Sequence, residues 1–502
     1  MSFTLLSAAL LLCVGACVIP KVMRGYRQGL ARSAISLSAV VFSALAAIPL
    51  AVWLSDYPAD LAARYLPRLI PALTKFTTQF PSLELLIPAA LDALIAPFLF
   101  VLFYLVIRGL VCSPLEGLLH KLLSPRPHDP ADPIYESRKA PWHRRHTRLL
   151  GGITGGIRGF VVSVILLTPL LGVLSVADSA LATAVEIKVK WSAYNLTTED
   201  VALMQDLVDD PVAHLLEATG GGMLFDATAT TDVRDTRVFL REEVDYCADL
   251  MVDAMGSVGA LRHMDHIVPG RQRILAGLGD KIQRSEVAKL VAADAANRAA
   301  EAWLEDKPFM GVPAPTFNEH LEPLRQGLLE VFASATPDCV ARDISTVVDI
   351  CLITSNSGLI TGQLSYQELA AGLDSGGAVD RIYGEIMDNA CTAHLAGKMT
   401  EVALRLMATA LEESGFDEDR MKSLMTHLSD SMNRINGMGI SGPARVEHMS
   451  EYITYYTKMY GVKVPDSMAE IAAVAFVEKL GATGKKITAD QMYGLLEQYM
   501  KK

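Results

Sequence analysis

Long apolar runs crowd the first third of the chain and then stop. Phe3–Ile19 carries no charge and ends at Pro20-Lys21. Ser33–Ser55 is 23 residues without a charge, and Gly159–Ala177 is again uncharged. A bilayer core takes about 20 apolar residues in helical form. Backbone groups find no water there, so such runs predict spanning helices. A further run between Asp92 and Arg108 holds 15 uncharged residues, roughly 22 Å of helix. Leu85–Leu91 on one side, or Gly109–Val111 on the other, makes it long enough. The predicted spans are about 3–20, 33–55, 88–110 and 159–177.

After Ala177 the rhythm changes to apolar positions at helical spacing. Phe239, Val244, Cys247, Leu250, Met251 and Met255 predict a helix over Val238–Met255. Similar patterns predict helices over Ser285–Leu304, Asn318–Ala333, Val340–Ile353, Tyr366–Leu373, Val379–Leu411, Asp417–Ile435, Ala444–Tyr460, Ser467–Leu480 and Ala489–Met500. Gly220-Gly221-Gly222, Pro313-Ala314-Pro315, Gly437 with Gly439, and Gly442-Pro443 punctuate them. Thr488 suits a cap, and Gln491 would complete a capping box. Alternating β-branched runs are few, so strands are not expected. The expected fold class is all-α. A four-helix transmembrane domain over 1–180 is followed by a large helical soluble domain over 181–502, with room for two subdomains.

Composition follows the same division. Apolar residues make up 51% of the chain, and mean hydropathy is +0.28. Residues 1–176 carry 16 Lys and Arg against 8 Asp and Glu, and residues 177–502 carry 29 against 48. Such asymmetry argues for two parts in different surroundings. The acidic part is a poor nucleic-acid binder, because phosphate contacts need a basic surface.

Charge also predicts orientation. The loop Lys21–Arg32 holds Lys21, Arg24, Arg27 and Arg32. Arg108–Arg148 holds Arg108, Lys121, Arg126, Arg138, Lys139, Arg144, Arg145 and Arg148. The loop between them holds only Arg64, Arg68 and Lys75. The two basic loops therefore face the cytoplasm, and everything after Ala177 lies outside. Val14-Gly15-Ala16-Cys17 has the look of a lipoprotein cleavage box. The basic region of a secretory signal is missing, however, and Lys21, Arg24 and Arg27 come directly after it, so a retained first helix is expected. Between Asp56 and Glu84, Pro58, Pro67, Pro71 and Pro81 break an amphipathic pattern that suits the membrane surface or a loop packed on the bundle.

Small residues mark helix contacts. Gly25 and Gly29 stand four apart, as do Gly151, Gly155 and Gly159, with Gly152 and Gly156 doubling the series. Residues four apart share a helix face, and small ones let two backbones approach in lipid; the alternative for Gly151–Gly159 is a flexible re-entry loop before the span. Two intramembrane polar residues stand out. Asp92 is read as an intramembrane site, or as a group at the headgroup boundary or in a bundle-facing hydrogen bond. Arg158 is expected at the inner end of the last span, away from Asp92, snorkelling or meeting a lipid phosphate.

Three segments together carry a resemblance. They are Arg24-Gly25-Tyr26-Arg27-Gln28-Gly29 after the first helix, the small-residue span Ser33–Leu54, and Leu149-Leu150-Gly151-Gly152-Ile153-Thr154-Gly155-Gly156-Ile157-Arg158-Gly159-Phe160 opening the last span. In these, residues 1 to about 180 resemble the colicin V production protein family (CvpA), four-helix bacterial inner-membrane proteins. The resemblance implies a multi-pass bacterial cell-membrane protein. It also implies a role in production or export of a colicin V-like toxin or in cell-envelope homeostasis, without enzymatic activity. It lends no catalytic residue. The connections Asp56–Glu84 and Arg108–Arg148 and the large C-terminal part depart from the short family form. The alternative is a membrane transport or channel component, with the outer domain as a binding or sensing module. The expected partners are the lipid bilayer and a second copy or an envelope protein.

Other chemistry is thin, and no catalytic residue, metal site or cofactor is expected. His263-Met264-Asp265-His266 offers two imidazoles and a carboxylate, fewer converging ligands than a closed metal site needs. Glu412, Glu413, Asp417, Glu418 and Asp419 lack the spacing of a calcium loop. Gly220–Gly222 lack the Lys-Ser/Thr of a phosphate loop. His143 and His146 stand in a basic loop. Met421, Met425, Met432, Met438 and Met449 suit an adaptable groove or a helix core. Cys247, Cys339, Cys351 and Cys391 could pair in three ways or stay as free thiols.

Overall fold

The computed structural model describes residues 5–69, 77–78, 80–122, 141–191, 210–261, 275–309, 312–314, 321–356, 378–481 and 486–498. The chain forms two compact units: Met1–Val252 with Ser285–Ala288, and Asp253–Arg284 with Lys289–Lys502. The boundary expected near residue 180 falls inside the first of these.

The first unit opens with α1 (Leu5–Gln28), α2 (Leu30–Leu54), α3 (Asp56–Leu69) and α4 (Leu83–Val106). A π-helical turn (Ile107–Cys112), α5 (Ser113–Leu122) and α6 (Pro141–Trp191) come next. Among the described residues, four stretches are long and apolar enough to cross a membrane: Leu5–Gln28, Leu30–Leu54, Leu83–Leu119 and Thr147–Thr183. α1 does not stop at Pro20 as expected but continues to Gln28. A proline removes one backbone bond, and an apolar setting strengthens the incentive to keep all the others. Pro49, Pro88, Pro97 and Pro169 lie inside helices in the same way. The third span gains its length in both directions.

α6 has 51 residues, about 75 Å at helical rise, so it runs well past Ala177. No glycine or proline interrupts Ala177–Trp191, and its alanines favour helix. The expected domain boundary therefore lies within one continuous helix.

Val40, Ala44, Ala47 and Ala51 form one face of α2 and pack on Phe100 and Tyr104 of α4 and Ile165 of α6. Leu12, Phe42, Leu45, Trp53, Phe98 and Leu102 point outward, an apolar exterior suited to lipid. Buried hydroxyls bond their own helix: Ser43 Oγ donates to the Ala39 carbonyl at 2.6 Å, and Thr168 Oγ1 to the Val164 carbonyl at 3.0 Å. Such a bond satisfies the hydroxyl within its own helix, and Ser43 Oγ also reaches Cys112 Sγ at 3.1 Å.

Beyond the spans come α7 (Pro211–Leu216), a π turn (Glu217–Gly221) and α8 (Gly222–Thr228). Asp210 caps α7, accepting from the Val212 and Ala213 amides, and Ser7 Oγ donates to its Oδ2 at 2.6 Å. Gly172 of α6 makes room for the Phe225 ring, which a Cβ would meet at 1.8 Å. The expectation of no strands fails at one place. β1 (Thr230–Val233) and β2 (Thr236–Phe239) pair antiparallel, Thr230 opposite Phe239. Their turn holds Arg234 and Asp235 at φ 51° and 63°, the left-handed pair that suits a two-residue hairpin. The turn lacks the usual glycine, and each strand has four residues, so no alternation was long enough to read. The hairpin takes Val238 and Phe239, and α9 runs over Leu240–Leu261.

The second unit is helical among its described residues. It contains α10 (Leu278–Gln283), α11 (Glu286–Leu304, from Lys289 on), α12 (Glu322–Ala333), α13 (Val340–Asn356), α14 (Ala378–Asp388) and α15 (Ala396–Glu413). Then come α16 (Glu418–Gly437), α17 (Gly442–Met459), α18 (Asp466–Gly481) and α19 (Ala489–Glu497). α15 lies at the centre, with Val402, Leu406, Met407 and Leu411 enclosed. Met421, Met425, Met432 and Met449 fill this core, whereas Met438 is exposed. The single helix expected over Val379–Leu411 is broken. Asn389 Oδ1 accepts from the Cys391 amide at 3.0 Å, a disulfide joins Cys391 to Cys339, and a short 3-10 turn (Ala393–Leu395) leads into α15. Cys247 and Cys351 remain free thiols. The expected helix over Tyr366–Leu373 and the cluster His263–His266 lie outside the described residues.

Candidate functional site

Polar groups enter the spanning bundle at two levels. At the level where the basic loops join it, Arg158 of α6 is 7% exposed, and its Nε has no partner. Within electrostatic range lie Glu116, Arg108, Tyr104 and Arg24, and Lys21 senses Arg158, Arg24 and Arg108 in turn. Arg108 Nη2 donates to Glu116 Oε2, and Ser36 Oγ to Glu116 Oε1. Arg108 Nη1 is buried without a partner.

The backbone explains why these residues meet. A Cβ on Gly155 would lie 2.3 Å from the Lys21 carbonyl, and one on Gly159 2.6 Å from Val18 Cα. One on Gly25 would lie 2.1 Å from the Gly151 carbonyl. Only glycine permits α1 and α6 to touch backbone to backbone along this seam, which brings Lys21 and Arg158 to one height. Beside it, a Cβ on Gly152 would make an ordinary contact with Tyr26, and one on Gly156 a tight contact of 3.2 Å with Val22 Cγ2. Gly29 is not on a helix face with Gly25. It is the joint between α1 and α2 at φ 77°, and a Cβ on Gly151 would lie 2.6 Å from its carbonyl carbon. The π turn after α4 adds a residue to one helical turn, which re-aims α5. That turns Glu116 back onto Arg108, eight residues earlier.

In the N-terminal half of α4, Asp92 is 6% exposed, and its Oδ1 has no partner. Its carboxylate faces the hydroxyls of Ser55, just after α2, and Thr231 of β1, with Asp56 and Asp232 also in electrostatic range. Asp92 is thus turned into the protein. Arg158 is not among its charged neighbours, and the structure does not bring the two together. Sequence reasoning missed Glu116 and the hairpin side of the Asp92 site. A carboxylate eight residues after Arg108, at the end of an apolar run, was the available signal for the first.

Outside the spans, Glu217 accepts from Arg241 at 2.6 Å and from Ser175 at 3.1 Å. His214, Glu217, Asp226 and Arg241 line a shallow, open depression. Burial pushes the Asp226 carboxyl above the ordinary carboxylate range, and Arg241 opposes it. In the second unit, Asn389 Nδ2 donates to Asp343 Oδ1 at 3.2 Å and to Thr346 Oγ1 at 3.1 Å. Burial raises the Asp343 carboxyl, and the Asn389 hydrogen bond opposes that. Burial also pushes the Cys351 thiol up to about 12, so it is inert at neutral pH. Asp417 caps α16 by accepting from the Arg420 amide, and Glu418 pairs with Lys422, so this acidic run closes a helix junction. Among the described residues no group of three or more His, Cys, Asp and Glu side chains could hold a metal ion. No protein-family model, curated protein or solved structure matches the chain.

Proposed function

We propose that this chain is a bacterial cell-membrane protein of the colicin V production type. Its spans anchor and organise an extracytoplasmic helical module that binds an envelope partner. The observation that carries this reading is the α1–α6 seam. Gly25, Gly151, Gly155 and Gly159 stand in the segments that carry the family resemblance, and all pack backbone on backbone. They work as structure, which suits a non-enzymatic scaffold in toxin production or export or in envelope homeostasis. The Cys339–Cys391 disulfide supports an outer location for the second unit, since such bonds persist in oxidising compartments. An alkaline-phosphatase fusion after Lys502 tests the placement. It is expected to be active, and an inactive fusion with a working cytoplasmic reporter would reverse the orientation.

A second reading is a transport component, favoured by the buried Asp92 Oδ1 that has no partner. The carboxylate also meets the Ser55 and Thr231 hydroxyls, and a buried ionisable group at membrane depth is a candidate for lining a pathway. Asp92→Asn in vesicles holding the full chain should then slow solute or toxin flux several-fold, and unchanged flux rejects this reading.

A further inference from the structure

Among the described residues, the polar level around Arg158 is short of negative charge. Lys21, Arg24, Arg108 and Arg158 bring four cations together, and Glu116 is the carboxylate among them. Removing like charges from water is costly unless counter-charges and hydrogen bonds compensate. Glu116 already accepts from Arg108 and Ser36. Two guanidinium N–H groups stay unserved: Arg158 Nε, on a side chain nine-tenths buried, and Arg108 Nη1. A buried donor without an acceptor carries its full desolvation penalty.

Exposure is graded across the group. Arg24 is exposed, Lys21 half-buried, and Arg158 buried. The cations thus run from the exposed Arg24 through Lys21 to the buried Arg158. The group cannot relax by separating the helices, because the glycine seam fixes Lys21 beside Gly155 and hence near Arg158. The missing partner must be anionic, must offer several acceptor oxygens, and must reach the end of a spanning helix. Guanidinium forks match phosphate oxygens in this way.

We infer that Arg158, Arg108, Lys21 and Arg24 form a binding site for a phosphate group at this end of the bundle. The phosphate belongs to a phospholipid headgroup or to a free phosphate ion. The site is indifferent to which way the spans are oriented, so it stands or falls separately from the placement of the second unit.

The test uses the full chain, delipidated in a neutral detergent and titrated calorimetrically. The probes are short-chain phosphatidylglycerol, a glucosyl-diacylglycerol of equal chain length without phosphate, and inorganic phosphate. Phosphatidylglycerol is expected to bind and the glycolipid to bind far more weakly. Arg158→Gln and Lys21→Gln should each weaken phosphatidylglycerol about tenfold or more, as loss of a charge-assisted hydrogen bond does. Lys21 is only half-buried, so its variant decides the matter even if Arg158→Gln fails to fold. Inorganic phosphate binding as tightly as the lipid, with the same losses, identifies the free ion as the ligand. Equal binding of both lipids without phosphate binding, no binding of either phosphate probe, or unchanged affinity in Lys21→Gln overturns the site.

Discussion

Asp343 shows how much a single buried group can set. It is 3% exposed at the start of α13, held by Asn389, and its carboxyl is raised by burial. Burial likewise raises Asp349 and Glu385. A carboxyl raised in the folded state holds its proton where the unfolded chain has lost it, so stability falls as pH rises through that window. The full contribution is present below the ordinary carboxylate range and is lost above the raised value. Asp343→Asn keeps an acceptor for Asn389 and removes the charge. It should therefore raise stability at pH 7.5 by about 1 kcal/mol, with the gain shrinking toward pH 4. Thermal unfolding of the full chain in detergent across that range checks this, and a gain that grows on acidification would contradict it. At the same scale, the Thr488–Gln491 capping box was legible, because both partners lie within one turn, and it forms. Glu116 was not, because its partner Arg108 meets it only through the π turn.

Elements were legible where periodicity was long. α13, α16, α17 and α18 begin or end within a few residues of their expected limits. The break between α14 and α15 was hidden. The apolar pattern continues across it, and what interrupts the helix is the Asn389 side chain and a disulfide to a residue 52 positions away. The glycine spacing was legible as close packing, but not which helix would be the partner. The structure sets Gly151, Gly155 and Gly159 against α1 of the same chain. Gly155→Ala should therefore push α1 from α6 and cost about 1–3 kcal/mol. Gly117→Ala, on an exposed face of α5 with nothing within 4 Å, should be neutral or stabilising by up to about 1 kcal/mol. Thermal unfolding in detergent separates the two, and equal midpoints would mean that the helices do not touch there.

For the whole molecule, hydropathy alone determined the four membrane-length helices and the all-helical class, because burying backbone in lipid admits few solutions and needs only local sequence. The charge asymmetry likewise announced two parts. The border between them was a tertiary matter. α6 carries straight past Ala177, and α7, α8 and the hairpin join the spans through Asp210, Phe225 and Thr231. Contacts between residues far apart in sequence drew that border, gathered four cations around Glu116 and turned Asp92 inward. No local pattern encodes such meetings, since each depends on where a helix elsewhere in the chain comes to rest.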